Sequence, residues 1–466
     1  MGLRLHDTLR RETVEFEPLD PNRARIYTCG PTVHDFAHIG NLRTFIFEDL
    51  LRRVLKHRGY DVTQVMNLTD VDDKIIRKAS QAGVSIGEYT EPYKRAFFQD
   101  LETVRIDPAE EYPAATDHIE VMVELVERLR NNGHTYTTDD GSIYFRISTF
   151  PDYGKLSRVD LSEMQDGARV DSDEYDKESP KDFALWKAAE PDEQAWDTSL
   201  GRGRPGWHVE CSAMSMAYLG ESFDIHTGGV DNVFPHHENE IAQSEAATGK
   251  PFVRYWVHAE HLIVDGQKMA KSLGNFYTLR DLLDRGYRPR VIRYLLLSVH
   301  YRSQLNFTFA GLDQAAAALE RLADFMDRLQ QLPAGEAPND ELVRRTQRAA
   351  AEFDSALDDD LNSSRALAAV FEWVRDVNRA LDAGQATTAD RDQLGGFLDT
   401  FDAIYDVLTP DPGEAEISAD IEALIAAREA ARQAGDYMRA DAIREELAGR
   451  GVVLEDTAQG VRWKKV

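Results

Sequence analysis

Residues 25 to 75 read as strand, loop, helix, strand, and no other feature constrains the fold as strongly. The apolar run Arg25-Ile26-Tyr27-Thr28 leads into Cys29-Gly30-Pro31. Leu42, Phe45, Asp49-Leu50, Val54 and Leu55 then recur at near-helical spacing, which predicts a helix from 42 to about 57. Residues 62 to 66 are β-branched and apolar and read as the next strand. A strand that returns through a helix to another strand implies a parallel α/β sheet. A polar, acidic, turn-rich stretch at 152–200 interrupts this pattern like an insertion. The pattern resumes with Cys211 and Phe223-Asp224-Ile225-His226. From about Leu312 the chain reads as helical. Leu319, Leu322, Phe325, Met326 and Leu329 form one apolar stripe, and Leu367, Val370, Phe371 and Val374 another. Asn362 or Ser363 suits the N-cap of the second helix. Leu408-Thr409-Pro410-Asp411-Pro412-Gly413 reads as a linker, with a small unit beyond it.

A length of 466 residues suggests roughly two to four domains. No 18-residue apolar stretch implies a membrane span, and the start lacks the apolar core of a signal peptide, so a cytoplasmic location is expected. Both cysteines, Cys29 and Cys211, fall near a His/Glu cluster, Phe234-Pro235-His236-His237-Glu238-Asn239-Glu240. Two thiols so placed point to metal binding rather than a disulfide framework. The net charge of -28 opposes nucleic-acid binding in dilute buffer. Most of the 54 basic residues are Arg, a bias that fits a salt-adapted acidic surface or simply a GC-rich genome, and the charge itself reads as solubility or as adaptation to a salt-rich cytoplasm.

Two further stretches carry chemistry. Pro31-Thr32-Val33-His34-Asp35-Phe36-Ala37-His38-Ile39-Gly40-Asn41 lies between the first strand and its helix. Free N–H groups at a helix start stabilise anions, Gly40 admits a ligand close to the backbone, and His38 can donate to a phosphate. Gly266-Gln267-Lys268-Met269-Ala270-Lys271-Ser272-Leu273-Gly274-Asn275 places two lysines three apart in a glycine-flanked loop, which suits a polyphosphate. Taken singly, the first motif is equally an ordinary helix cap and the second an ordinary solvated loop.

Together they resemble the HIGH and KMSKS signatures of class I aminoacyl-tRNA synthetases. The wider sequence is similar to the cysteinyl-tRNA synthetase family, from about residue 5 to the C-terminus. The matching stretches are Cys29-Gly30-Pro31-Thr32-Val33, Asn67-Leu68-Thr69-Asp70-Val71-Asp72-Asp73-Lys74, Asp182-Phe183-Ala184-Leu185-Trp186-Lys187, residues 206–214 and 234–240, and the Lys268 loop. Asn41 stands where the first signature has its second His, and Ala270 where the second has its first Ser. Both changes are expected to be tolerated. Related ligases that join activated cysteine to an amino sugar resemble only the first 300 or so residues, so the stretch from 436 to 463 argues against them. A non-catalytic paralogue would be expected to erode one of the two signatures.

The resemblance implies a Rossmann-type catalytic domain at 1–311, with an insertion at about 130–200 and the second signature within 255–311. It implies a helical bundle at 312–407 that contacts the tRNA stem, a linker at 408–418 and an anticodon-binding domain at 419–466. His38, Asn41, Lys268 and Lys271 would be catalytic. Gly40, His38, Lys271, Gly228 and Gly229 would bind ATP with its Mg²⁺. Thr32, Thr69, Trp207 and Asp231 would line a pocket for L-cysteine. Cys29, Cys211, His236 and Glu240 would hold one Zn²⁺. On a helix, His236 and Glu240 share one face, whereas His237 and Glu238 are expected to point elsewhere. Arg432, Tyr437, Asp441 and Asp456 would read the anticodon of tRNA(Cys). Residues 428–466 carry eight basic and seven acidic groups, a local relief from the acidic surface. A monomer is expected.

Overall fold

The first strand, β1 (Arg23–Thr28), leads through α1 (Ile39–His57) to β2 (Asp61–Met66), and β1 and β2 pair in parallel. After a long excursion the chain returns as α2 (Trp207–Leu219), β3 (Phe223–Gly229), α3 (Glu238–Thr248) and β4 (Val253–Ala259). The four strands form a parallel sheet in the order β4-β3-β1-β2. β3 and β4 are buried almost end to end, as a sheet covered on both faces requires. The chain leaves β1 toward one side of the sheet and later returns as β3 on the other. This makes the C-terminal ends of β1 and β3 a topological switch point, where open α/β sheets bind ligands. Cys29 lies there, its N–H donating to the Thr227 carbonyl at 3.3 Å.

This is a computed structural model, and it describes residues 2–159, 181–190, 193–411, 414–450, 452–457 and 460–465. It divides into two compact units, Met1–Val407 and Leu408–Val466. Among the described residues no helix is long and apolar enough to cross a membrane.

Helix α1 begins three residues before the predicted start. Gly40 and Asn41 are poor helix formers, so their propensity reads as loop. A reciprocal cap overrides it: His38 is the N-cap and exchanges hydrogen bonds with Asn41. The turn-rich reading of the insertion is also corrected. A five-stranded antiparallel sheet runs in the order Thr135–Thr137, Ile143–Phe145, Phe183–Ala188, Gly201–Pro205, Trp196–Thr198. Most of its strands are only three residues long, too short to show alternation above the flanking turns. Residues 160–180 and 191–192 of this segment lie outside those described.

The bundle comprises α4 (Phe309–Gln330), α5 (Asp340–Asp358), α6 (Ser363–Asp382) and α7 (Arg391–Tyr405). Leu319, Leu322, Phe325 and Leu329 are buried, and Phe325 meets Trp373 edge-on at 5.2 Å. Asn362 caps α6, accepting from the Arg365 N–H at 3.1 Å. The bundle belongs to the first unit, and a buried ion pair helps to explain why. Arg293, fully buried, contacts Asp49 of α1 and donates to the Tyr405 carbonyl at the end of α7 at 2.6 Å.

The second unit contains α8 (Glu414–Gln433), α9 (Tyr437–Gly449) and an antiparallel pair, β5 (Val452–Thr457) and β6 (Gly460–Lys465). Ile421, Ile443, Leu447 and Val452 form its core. Helix α8 starts at Glu414, inside the stretch expected to be linker. The prolines there mark the break, but the polar first turn of α8 has no apolar periodicity to separate it from a linker. Residues 412–413 lie outside those described.

Candidate active site

Four elements converge on Cys29 at the end of β1. Helix α2 brings Cys211, and a kinked turn (Val233–His237), extended at Phe234, leads into α3 and brings His236 and Glu240. One donor atom from each of Cys29, Cys211, His236 and Glu240 lies within 4.8 Å of the other three. His236 Nε2 is 3.2 Å from Glu240 Oε1, and the other nitrogen of His236 meets His208 Nδ1 at 2.9 Å. Burial pushes the Cys29 thiol well up, reinforced by Cys211, and pushes His236 down to about 3. At Cys211 a hydrogen bond from Cys29 pulls downward, but burial and Glu240 win and the net shift is up. Without a cation both thiols therefore stay protonated at neutral pH. The set matches the soft and borderline donors that zinc takes.

The arrangement differs from the sequence reading at His237. It does not point away, because its Nε2 lies 3.3 Å from Cys29 Sγ. His226, from β3, places its Nε2 3.0 Å from Glu240 Oε2. His258, on β4, meets His237 Nδ1 at 2.8 Å. Of these histidines, His226 and His258 were missed as neighbours of the cluster, whereas for His237 only the direction was misread. Only the parallel pairing of β3 with β4 sets His226 and His258 beside it, and no local pattern shows that. Glu238 does turn away, accepting from the N–H groups of Gly154 and Ser157 at 2.8 Å each and anchoring the insertion.

The first signature lies in the loop that leaves Cys29 and in the first turn of α1. Asn41 N–H donates to His38 Nδ1 at 3.1 Å, and His38 N–H donates to Asn41 Oδ1 at 3.2 Å. Since Nδ1 accepts, the ring proton is on Nε2. Burial lowers the His38 pKa, partly offset by Asp231, so His38 is a neutral donor at pH 7. Asn41 therefore sets the orientation of His38. The second signature packs directly against this turn. Ile39 N–H donates to the Tyr277 carbonyl at 2.9 Å, and Phe276 meets His38 edge-on at 5.2 Å. Lys268 and Lys271 are exposed. Lys271 pairs with Asp35 and lies 4.9 Å from the centre of the Phe276 ring. Ala270 N–H donates to Asn275 Oδ1 at 2.8 Å, so the loop keeps its shape without a serine hydroxyl there.

Thr32 and Thr69 face each other in a short parallel bridge. The Thr69 hydroxyl donates to buried Glu210 at 3.1 Å. Trp207, 40 % exposed, stacks on His236 with ring centres 4.4 Å apart. Asp231 is exposed beyond the end of β3. A Cβ at Gly228 would meet His237 Cε1 at 3.0 Å and Asn232 Nδ2 at 2.8 Å, so the close packing there requires glycine.

Three family descriptions match successive parts of the chain: the class I (C) tRNA synthetase catalytic domain at residues 15–317, the DALR domain at 352–409, and the cysteinyl-tRNA ligase anticodon binding domain at 414–463. The cysteine–tRNA ligase of Solibacter usitatus is 53% identical over 466 residues, covering 100% of both chains. That of Koribacter versatilis is 51% identical, again over 100% of both. The chain belongs to the cysteine–tRNA ligase family. Among solved structures, methionyl-tRNA synthetase of Mycobacterium tuberculosis with methionyl-adenylate superimposes with a TM-score of 0.64 at 16% identity, covering 84% of this chain and 92% of that one. That likeness shows the class I fold.

In the second unit of this cysteine–tRNA ligase family member, Arg432 ends α8 beside Glu429 at 3.5 Å. Tyr437 opens α9 and is 67 % exposed, and Asp441 lies exposed one turn on. Asp456 belongs to β5, but its side chain lies outside those described.

Proposed function

We propose that the chain activates L-cysteine with ATP and magnesium, transfers it to the 3′ end of tRNA(Cys), and selects the thiol through zinc held by Cys29, Cys211, His236 and Glu240. One observation carries the metal reading: the chain's only two thiols, brought from positions 182 residues apart, meet one histidine and one carboxylate within 4.8 Å. When bound there, zinc supplies a soft Lewis acid that favours a thiolate over the hydroxyl of serine.

The remaining chemistry belongs to side chains. Trp207 walls the pocket, and Asp231 pairs with the substrate ammonium. The substrate carboxylate, already ionised, attacks the α-phosphate and displaces pyrophosphate. His38 Nε2–H donates to a phosphate oxygen, and Lys268 and Lys271 balance the charge that builds on the phosphates. Gly40, Gly228 and Gly229 let the nucleotide approach the backbone. A ribose hydroxyl of the terminal adenosine then takes the aminoacyl group and AMP leaves. Thr32 and Thr69 line the amino-acid side. Arg432, Tyr437, Asp441 and Asp456 contact the anticodon, Tyr437 by stacking on a base. The bundle spans the tRNA stem. The same reading makes the enzyme a cytoplasmic monomer whose acidic surface suits a salt-rich interior.

The test is charging of tRNA with labelled cysteine in the presence of a large excess of serine. Label on tRNA that serine does not displace supports both ligation and thiol selection. Charging that serine suppresses removes the zinc reading and leaves the ligase.

A further inference from the structure

Cys29 and Glu240 each belong to two quartets of donors, one completed by Cys211 and His236 and the other by His226 and His237. The second quartet, Cys29, His226, His237 and Glu240, also brings one donor atom from each residue within 4.8 Å of the rest. His226, His237 and Glu240 are fully buried and Cys29 is 9 % exposed. Glu240 Oε1 lies 3.2 Å from His236 Nε2 and 3.9 Å from His237 Nε2, and Oε2 lies 3.0 Å from His226 Nε2.

The outer ring nitrogens suit this arrangement. His226 Nδ1 lies 3.3 Å from the Thr227 carbonyl, which can only accept, so Nδ1 is the donor. With the proton there, Nε2 presents a lone pair to Glu240 Oε2. Two acceptors 3.0 Å apart call for positive charge between them. His237 Nδ1 is backed by His258 Nε2 at 2.8 Å, and His258 Nδ1 by the Thr8 hydroxyl at 2.7 Å. Partners of this kind orient a metal-ligating imidazole.

We propose that His226 and His237, with Cys29 and Glu240, form a second seat for a soft divalent cation beside the first, Cys29 bridging as a thiolate and Glu240 as a carboxylate. The proposal rests on the zinc reading of the first seat. Neighbouring metals that share ligands stand about 3.5–4 Å apart. The first seat has two thiolates and fills first, and the second has one, shared, and fills only when the ion is in excess. An ion in the second seat ties down both oxygens of Glu240.

The experiment is metal content of the full-length protein, equilibrated with buffered free Zn²⁺ and read by elemental analysis. The expected result is two zinc ions per chain, the second bound at least about tenfold more weakly because it competes for shared ligands. The double variant H226N/H237N should stop at one. The variant C211S/H236N, loaded with Co²⁺, should keep one ion with thiolate-to-cobalt absorption from Cys29. Saturation of the wild type at one ion overturns the second seat alone. A second ion that persists in H226N/H237N overturns it as well, since that ion lies elsewhere. No ion in the wild type overturns the first seat and the second together.

Discussion

His38 and Asn41 show how one substitution in a signature is absorbed. What the turn needs at 41 is an acceptor for the His38 N–H, and an amide oxygen supplies it. Asn41→Ala should therefore lower adenylate formation while leaving ATP affinity within a few-fold, and should cost about 1 kcal/mol of stability, because the His38 N–H loses its capping-box acceptor while the N-cap bond from the residue-41 N–H remains. Asn41→His should change pyrophosphate exchange by less than about tenfold, because an imidazole nitrogen can accept the same bond. A larger change would show that Asn41 has a role beyond orienting His38. Glu48 offers a pH test. It is fully buried on α1 and accepts from the Thr227 hydroxyl at 2.8 Å, and burial pushes it up to about 8. The folded chain thus keeps a proton that the unfolded chain releases near pH 4.5. Stability from this group falls as pH rises between those values, by about 1.4 kcal/mol per pH unit, and is level outside them. Glu48→Gln should flatten that slope in urea unfolding at pH 5, 6.5 and 8, and parallel profiles would refute the protonated carboxyl. Cys29, Cys211, His236 and Glu240 could be named from residue type and motif. His226, His237 and His258 could not be placed, because strand pairing and the turn before α3 decide where they face.

Among the elements, the loop of the second signature is held by few contacts. Its lysine Lys271 meets the carboxylate of Asp35, from the loop before α1, and both are substantially exposed. Such a pair contributes little to stability, on the order of 1 kcal/mol or less, yet it decides where an unliganded loop rests. Asp35→Asn should raise hydrogen exchange across 268–274 several-fold without nucleotide and leave it unchanged with ATP bound. Equal exchange in both states would show that the loop is held by Phe276 and Asn275 alone. Lys271→Ala should reduce pyrophosphate exchange about 10²-fold or more, since a charge aimed at the transferring phosphate is lost. Near-normal exchange would remove Lys271 from the chemistry. The parallel sheet was legible because β1, α1 and β2 differ in period and follow each other closely. The insertion's sheet was not, since Ile143–Phe145 pairs with Phe183–Ala188 across a 37-residue gap in sequence.

At the scale of the molecule, the residues proposed for adenylation and those proposed to contact the anticodon lie in different compact units. The cluster at Cys29, the His38 turn and the Lys271 loop all lie within Met1–Val407, which has its own large core. Tyr437 and Asp441 lie within Leu408–Val466, whose core of Ile421, Ile443, Leu447 and Val452 is also its own. Among the described residues, each of these two cores is built from its own unit, so a chain ending at Val407 should fold. It should hold zinc and exchange pyrophosphate with cysteine and ATP within a few-fold of the full chain. Its charging of tRNA should fall by about 10²-fold or more, the weight of two or three lost base and phosphate contacts. The last 39 residues, 428–466, carry eight basic and seven acidic groups against -28 for the whole chain, so this stretch of the unit repels RNA less than the rest of the chain on average. If the shortened chain charged tRNA as well as the full one, recognition would have to rest on the acceptor end and the bundle. If it lost pyrophosphate exchange while circular dichroism and zinc content stayed normal, the second unit would be acting on the catalytic site itself.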